Sequence, residues 1–119
     1  MSIRSTIGLA TVAAAVLFAQ QPADDTRAKE SALKQDLLIL RQAIDKYTAD
    51  QHKAPATLQD LVVKGYVGVV PVDPMTRKST WRVIMEEPGR SANRKQPGIY
   101  DVRSNSDGVS SDGTRYADW

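Results

Sequence analysis

The sequence predicts an α+β fold in which a long N-terminal α-helix packs on a small antiparallel β-sheet and a C-terminal Asp/Gly loop follows. An amphipathic segment without Gly or Pro covers residues 28–51, and two short β-prone segments follow at residues 80–85 and 99–102. Residues 103–119 are rich in Ser, Asp and Gly, which is typical of turns. The change from a helical to a two-residue period along one chain favours this class.

Length and composition limit the function. A chain of 119 residues fits one domain with a modest core, because domains usually have about 100–200 residues. Lys and Arg total 16 against 14 Asp and Glu, a balance too close to neutral for a nucleic-acid-binding surface. The chain has no Cys, which excludes disulfides and thiolate sites, and it contains no catalytic constellation or phosphate-binding loop. We therefore expect a protein that is not an enzyme.

The first 20 residues have the layout of a targeting segment. Arg4 precedes the uncharged apolar run 7–19, and polar residues follow at once. As a helix this run spans roughly 20 Å, which is less than the ~30 Å hydrocarbon core of a bilayer. The sequence thus predicts a signal peptide or a short N-terminal membrane anchor over 1–20, a linker over 21–27 and one domain over 28–119.

The long helix carries one apolar stripe. Its large apolar residues recur at spacings of four, three, four and three, and they are Leu33, Leu37, Leu40, Ile44 and Tyr47. Arg41 and Asp45 lie on the polar side, at the i,i+4 spacing of a helical ion pair. Such a helix must bury its apolar stripe against another element.

Turn and cap residues divide the next segment. Pro55 ends the long helix, because proline disfavours helical geometry at the preceding residue. Thr57 and Asp60 have the spacing of a capping box, and Gly65 is placed to close a second short helix. Gly68 and Pro71 then make residues 67–72 an extended connector rather than a central strand.

Two strands follow a turn at residues 71–74. In the segment 80–85, alternation puts Trp81, Val83 and Met85 on one face of a strand. Residues 86–98 hold two prolines, two glycines and several charges, which indicates a loop, and residues 99–102 return to strand character.

This order of elements resembles the G-type major pseudopilins of type II secretion, within the type IV pilin-like family. The resemblance covers residues 28–119. The segments that carry it are Leu40 to Tyr47, Ala54 to Leu61, Gly65-Tyr66, Val70 to Pro74, and Ile99 to Ser104 leading into Asp107-Gly108.

The resemblance implies a pilin-like fold and a structural role. Members of this family polymerise through their N-terminal helix into a homo-oligomeric helical filament in the periplasm, which acts in protein export with other pseudopilin subunits and an inner-membrane assembly platform. We therefore expect a chain of the cell envelope, periplasmic or anchored in the inner membrane. The family's assembly glutamate, however, falls at Ala13. The alternative is a soluble periplasmic pilin-like binding or adaptor module that does not polymerise.

The resemblance also implies a calcium ion in the loop of residues 104–118. Calcium takes six to eight oxygen ligands from carboxylates and backbone carbonyls. In this chain the predicted carboxylate ligands are Asp107, Asp112 and Asp118, and the predicted carbonyl donors are Ser104 and Ser110. The alternative is that Asp107-Gly108 and Asp112-Gly113 are two tight turns, whose carboxylates Arg103 and Arg115 offset.

A basic stretch beside Trp81 raises nucleic-acid binding as another alternative. Its members are Arg77, Lys78, Arg82, Arg90, Arg94 and Lys95. Glu86 and Glu87 interrupt this charge and no further aromatic residues alternate with it, so we expect a solvated loop and no nucleic-acid partner.

Overall fold

The computed structural model describes the backbone of residues 2–91 and 96–119 and the side chains of residues 25–91 and 96–119. Its elements are helix α1 (Ser2–Gln51), helix α2 (Gln59–Val63), strand β1 (Arg82–Met85), strand β2 (Ile99–Arg103) and a 3₁₀ turn (Tyr116–Asp118). One long helix and a small two-stranded antiparallel sheet confirm the predicted α+β class.

The predicted signal peptide or anchor at 1–20 lies outside the residues whose side chains are described, and the division at residues 20 and 27 stays a prediction. Within the described part of the chain, no helix has both the length and the apolar character that crossing a membrane requires.

Helix α1 forms the core with the stripe that the sequence predicts. All five predicted stripe residues are buried, with Leu33 and Leu40 completely so. The helix ends at Gln51, and His52 adopts a left-handed backbone with φ of +59°. Such a residue directly after a helix stops its continuation, which confirms the predicted end before Pro55.

Helix α2 has the predicted cap and the predicted stop. The backbone N–H of Asp60 donates to Oγ1 of Thr57 at 3.3 Å, and the N–H of Thr57 donates to Oδ2 of Asp60 at 3.2 Å. At the other end Gly65 has a φ of +81°, and the N–H of Tyr66 donates to the carbonyl of Leu61 at 2.8 Å. This is the Schellman arrangement, in which a left-handed glycine lets the chain satisfy the last carbonyls of the helix.

The sheet packs on α1 through β2. The strands pair antiparallel with a bulge between Ile84 and Met85, in the register Arg82–Arg103, Val83–Val102 and Ile84–Asp101. Strand β2, and not β1, lies against α1, and it contributes the buried side chains of Ile99 and Val102 to the core.

The alternation of the first strand does not correspond to a buried face. The strand begins at Arg82 rather than at residue 80, and Val83 and Met85 are 39% and 46% exposed. Trp81 is buried, but it precedes the strand. Because β1 is an edge strand that does not reach α1, its alternation does not produce a buried face. The predicted connector is confirmed, since residues 67–72 hold no strand.

Candidate functional site

The C-terminal loop, residues 104–119, lies along one side of α1. The helix faces it with a second stripe at spacings of four, three and four, made of Glu30, Lys34, Leu37 and Arg41. Residues three or four apart lie on one face of a helix, so these side chains meet the loop in succession.

Glu30 holds the middle of the loop. Its carboxylate accepts hydrogen bonds from the backbone N–H and the hydroxyl of Ser111, both at 2.8 Å, and from the hydroxyl of Tyr116 at 3.0 Å. The bond from the Ser111 N–H, followed by that from the Ser111 hydroxyl, lowers the pKa of Glu30. Burial, together with the bond to Glu30, raises the pKa of Tyr116. The contact therefore favours an ionised Glu30 facing a neutral phenol.

Lys34 and Trp119 meet one helical turn further along α1. The Nζ of Lys34 lies 4.9 Å from the centre of the Trp119 ring, within the range of a cation–π contact. The indole N–H of Trp119 donates to Oγ1 of Thr114 at 2.8 Å, and its ring packs edge-on against Tyr116 at 5.1 Å. Trp119 is thus fixed both by the helix and by the loop.

Arg41 joins three parts of the fold. Its Nε donates to Oδ1 of Asp101 at 2.8 Å, and one terminal nitrogen donates to the backbone oxygens of Val102 at 3.1 Å and Trp119 at 2.9 Å. The ion pair that the sequence suggests with Asp45 is therefore wrong, and the partner of Arg41 is Asp101 on β2. The side chains of Arg41 and Asp101 are 33% and 18% exposed, so water screens their ion pair less than it would screen an exposed i,i+4 pair on the helix surface.

Two further arginines hold the 3₁₀ turn. Arg82 donates to the backbone oxygen of Ala117 at 2.9 Å, and Arg103 donates to that of Asp118 at 2.6 Å. These arginines are directly opposite each other in the sheet, where like charges repel. Donating to the carbonyls of the turn gives both guanidinium groups an electronegative partner.

Three of the five predicted calcium ligands share a cavity. Ser104, Asp107 and Asp118 line a space of about 440 Å³, and Arg82 and Arg115 line it as well. The buried hydroxyl of Ser104 donates to Oδ2 of Asp73 at 2.6 Å, whereas the predicted ligand atom of this residue is its backbone carbonyl oxygen.

The remaining two predicted ligands lie in a separate turn. Oδ1 of Asp112 accepts hydrogen bonds from the hydroxyl of Ser110, and from the backbone N–H and hydroxyl of Thr114 at 3.1 and 2.6 Å. The bond from Ser110, followed by those from Thr114, lowers the pKa of Asp112 to about 2. Asp112 borders a different cavity, together with Lys34 and Trp119. Among the described residues, no three His, Cys, Asp or Glu side chains are grouped as a metal site.

Asp73, like Glu30, is a polar residue of this region that sequence reasoning missed. It is completely buried, and its carboxylate accepts bonds from the hydroxyl of Ser104 and, at 2.8 Å, from the backbone N–H of Met75. The Asp73-Pro74 pair indicated a turn, and an Asp that bonds the N–H two residues on is the usual way such a turn closes. Its burial depends on Ser104, 31 residues away, which no local pattern reveals.

The basic stretch does not present the aromatic platform that nucleic-acid stacking requires. Trp81 is only 7% exposed, and its indole N–H donates to the carbonyl of Pro71 at 2.9 Å. Arg94 and Lys95 lie outside the described residues.

Comparisons with known proteins give no match of any kind: no family model, no curated protein and no solved structure matches this chain. The resemblance to pseudopilins therefore rests on the quoted sequence segments, and it stays a prediction.

Proposed function

We propose that this chain is a structural, non-enzymatic subunit of a periplasmic filament of the type II secretion pseudopilin or type IV pilus-like kind, acting in protein export. Its support is the sequence resemblance over residues 28–119 and a coarse layout of one long helix carrying a small sheet. The proposed partners of the chain are further copies of itself, other pseudopilin subunits and an inner-membrane assembly platform in the cell envelope.

The observation that favours assembly is the outer face of α1. Leu38 and Ile39 are 50% and 39% exposed on the side of the helix that does not contact the sheet or the C-terminal loop. Exposed Gln35 and Gln42 lie three or four residues from both of them, while Lys34 and Arg41 lie at these spacings from Leu38, so this surface combines aliphatic, amide and charged side chains. Two adjacent large aliphatic side chains on a solvent-facing helix surface fit a face that packs against another helix.

Site-specific crosslinking tests this proposal, because the chain has no natural cysteine. A benzophenone attached at Leu38→Cys should give a ladder of multimers on illumination of the full-length protein in cell envelopes. Val63→Cys is the matched control, since Val63 is an aliphatic residue 74% exposed on α2. It should give mainly monomer.

The charge variant Leu38→Glu separates assembly from folding. We expect it to abolish filaments in electron micrographs while the melting midpoint of the isolated subunit stays unchanged, because Leu38 lies outside the core. If Leu38→Cys yields monomers alone and no filaments form, the proposal is overturned in favour of the soluble pilin-like adaptor.

A further inference from the structure

The 3₁₀ turn at the end of the C-terminal loop is held by three arginines from three elements. Arg82 of β1, Arg103 of β2 and Arg41 of α1 donate to the backbone oxygens of residues 117, 118 and 119 in order, at 2.9, 2.6 and 2.9 Å. Carbonyls at the end of a helical turn have no partner within the turn and carry partial negative charge. Three guanidinium groups therefore supply both the donors and the positive charge that these oxygens need.

The middle of the loop is held by hydrogen bonds within the protein as well. Ser110 and Thr114 occupy Oδ1 of Asp112 with three hydrogen bonds. Ser111 and Tyr116 are bound to Glu30 of α1 by three more. These six hydrogen bonds hold residues 110–116 through groups of the protein itself.

The cavity lined by Ser104, Asp107 and Asp118 also lacks the excess of negative charge that a calcium site needs. Around it, the carboxylates of Asp107 and Asp118 are balanced by Arg82 and Arg115. Calcium sites depend on several convergent oxygen ligands and an excess of negative charge. The predicted ligand set is thus divided between two places, and the place with two carboxylates also contains two cations.

We infer that the C-terminal loop keeps its conformation without a divalent cation, because arginines and Glu30 take the structural place of the calcium ion that the resemblance implies. This inference concerns the folding of the subunit and does not depend on whether the chain polymerises. Uptake of calcium by the loop, which the resemblance implies, is the competing outcome, because an ion bound only by the folded loop would raise the melting midpoint.

The experiment compares the full-length protein in calcium chloride and in chelator, by thermal melting and by the indole N–H signal of Trp119 in two-dimensional NMR spectra. That indole donates to Thr114, so its signal reports the conformation of the loop. We expect the same melting midpoint and the same indole signal in both conditions. A higher midpoint in calcium, or an indole signal that moves when calcium is removed, overturns the inference.

Arginine variants test whether these side chains stabilise the C-terminal loop. Arg82→Gln removes one charged donor from an exposed position, so the protein should still fold, with a midpoint lowered by about 2–6 °C in calcium and in chelator alike. Arg90→Gln is the control, because the side chain of Arg90 is 86% exposed and forms an ion pair with Glu87 at 3.8 Å, away from the C-terminal loop. If Arg82→Gln melts like Arg90→Gln, or if calcium restores its midpoint, the arginines do not hold the loop.

Discussion

Gly98 lies directly against the backbone of the segment that ends α1. A Cβ at this position would be 2.6 Å from the carbonyl oxygen of Ala54 and 2.8 Å from its carbonyl carbon. The next residue, Ile99, donates its N–H to the carbonyl of Pro55 at 2.8 Å, so the two segments cannot separate without losing a bond. The absence of a side chain at Gly98 is therefore what allows β2 to dock.

Replacing this glycine should cost stability. We expect Gly98→Ala to lower the free energy of unfolding by about 1–3 kcal/mol, because the clash is with backbone atoms that a side-chain rotation cannot relieve. Gly68→Ala is the control, since a Cβ at that position would meet nothing within 4 Å, and it should stay within about 0.5 kcal/mol of the parent. Urea denaturation measures both. If Gly98→Ala were as stable as Gly68→Ala, the backbone at Ala54 would be able to move away from the added Cβ without cost.

Asp112 and Glu30 make the loop sensitive to acid. The pKa of Asp112 falls from its ordinary 3.8 to about 2, and that of Glu30 is also lowered. A group whose pKa is lower in the folded state stabilises that state above its unfolded pKa and loses this contribution as the pH falls toward its folded pKa. The sign is therefore a loss of stability with acid, between about pH 4 and pH 2 for Asp112.

Denaturation curves across this pH range check the prediction. Asp112→Asn should be less stable than the parent at neutral pH and should show a shallower decline between about pH 4 and pH 2. Asp45→Asn, at an exposed position of α1, is the control and should follow the parent. A decline of the same steepness in Asp112→Asn and the parent would mean that Asp112 does not carry the effect.

At the scale of elements, α1 presents different surfaces to its surroundings. Leu40 is completely buried in the core, whereas Leu38, two residues earlier, is 50% exposed. We expect Leu40→Ala to lower the free energy of unfolding by about 2–5 kcal/mol, through lost burial and the cavity left behind. Leu38→Ala should change it by about 0.5 kcal/mol or less. Chemical denaturation of the two variants, which make the same substitution in the same helix, gives the comparison, and similar losses would contradict the assigned faces.

Sequence reasoning succeeded where the determining signals are local. The stripe of α1, the capping box at Thr57 and the stop at Gly65 each depend on residues within a few positions, and all are present in the fold. The alternation in β1 does not determine burial in the same way, because whether a strand face is buried depends on which element lies beneath it, and Val83 is 39% exposed.

The need for tertiary information also explains why the predicted calcium ligands are not all brought together. The sequence groups Asp107, Asp112 and Asp118 because they are close along the chain, yet Asp112 turns back to bind Ser110 and Thr114 of its own turn. The contacts that fix the loop join residues far apart in sequence, such as Glu30 with Ser111, 81 positions later. The sequence shows that Glu30, Lys34 and Arg41 share one face of the helix. No local pattern, however, shows that this face contacts the C-terminal loop.

For the whole molecule, the C-terminal loop closes the fold over the helix and the sheet. It contacts α1 through Glu30 and Arg41, β1 through Arg82 and β2 through Arg103. A segment bound to every neighbouring element cannot open without breaking charged hydrogen bonds on several sides at once. We therefore expect it to unfold together with the core rather than as a separate surface loop.

Native-state hydrogen exchange measures this cooperativity directly. The amides of Tyr116, Asp118 and Trp119 donate to Gly108, Arg115 and Tyr116, at 3.2, 3.0 and 3.2 Å. They should exchange with protection close to that of the Ile99 amide in β2, which donates to the carbonyl of Pro55, since global unfolding is the opening that frees them. The exposed connector amides at residues 68 and 69 serve as the fast-exchanging reference. If the loop amides exchange as fast as this reference while the Ile99 amide stays protected, the loop opens independently, and its contacts with α1 do not make it part of the cooperative unit.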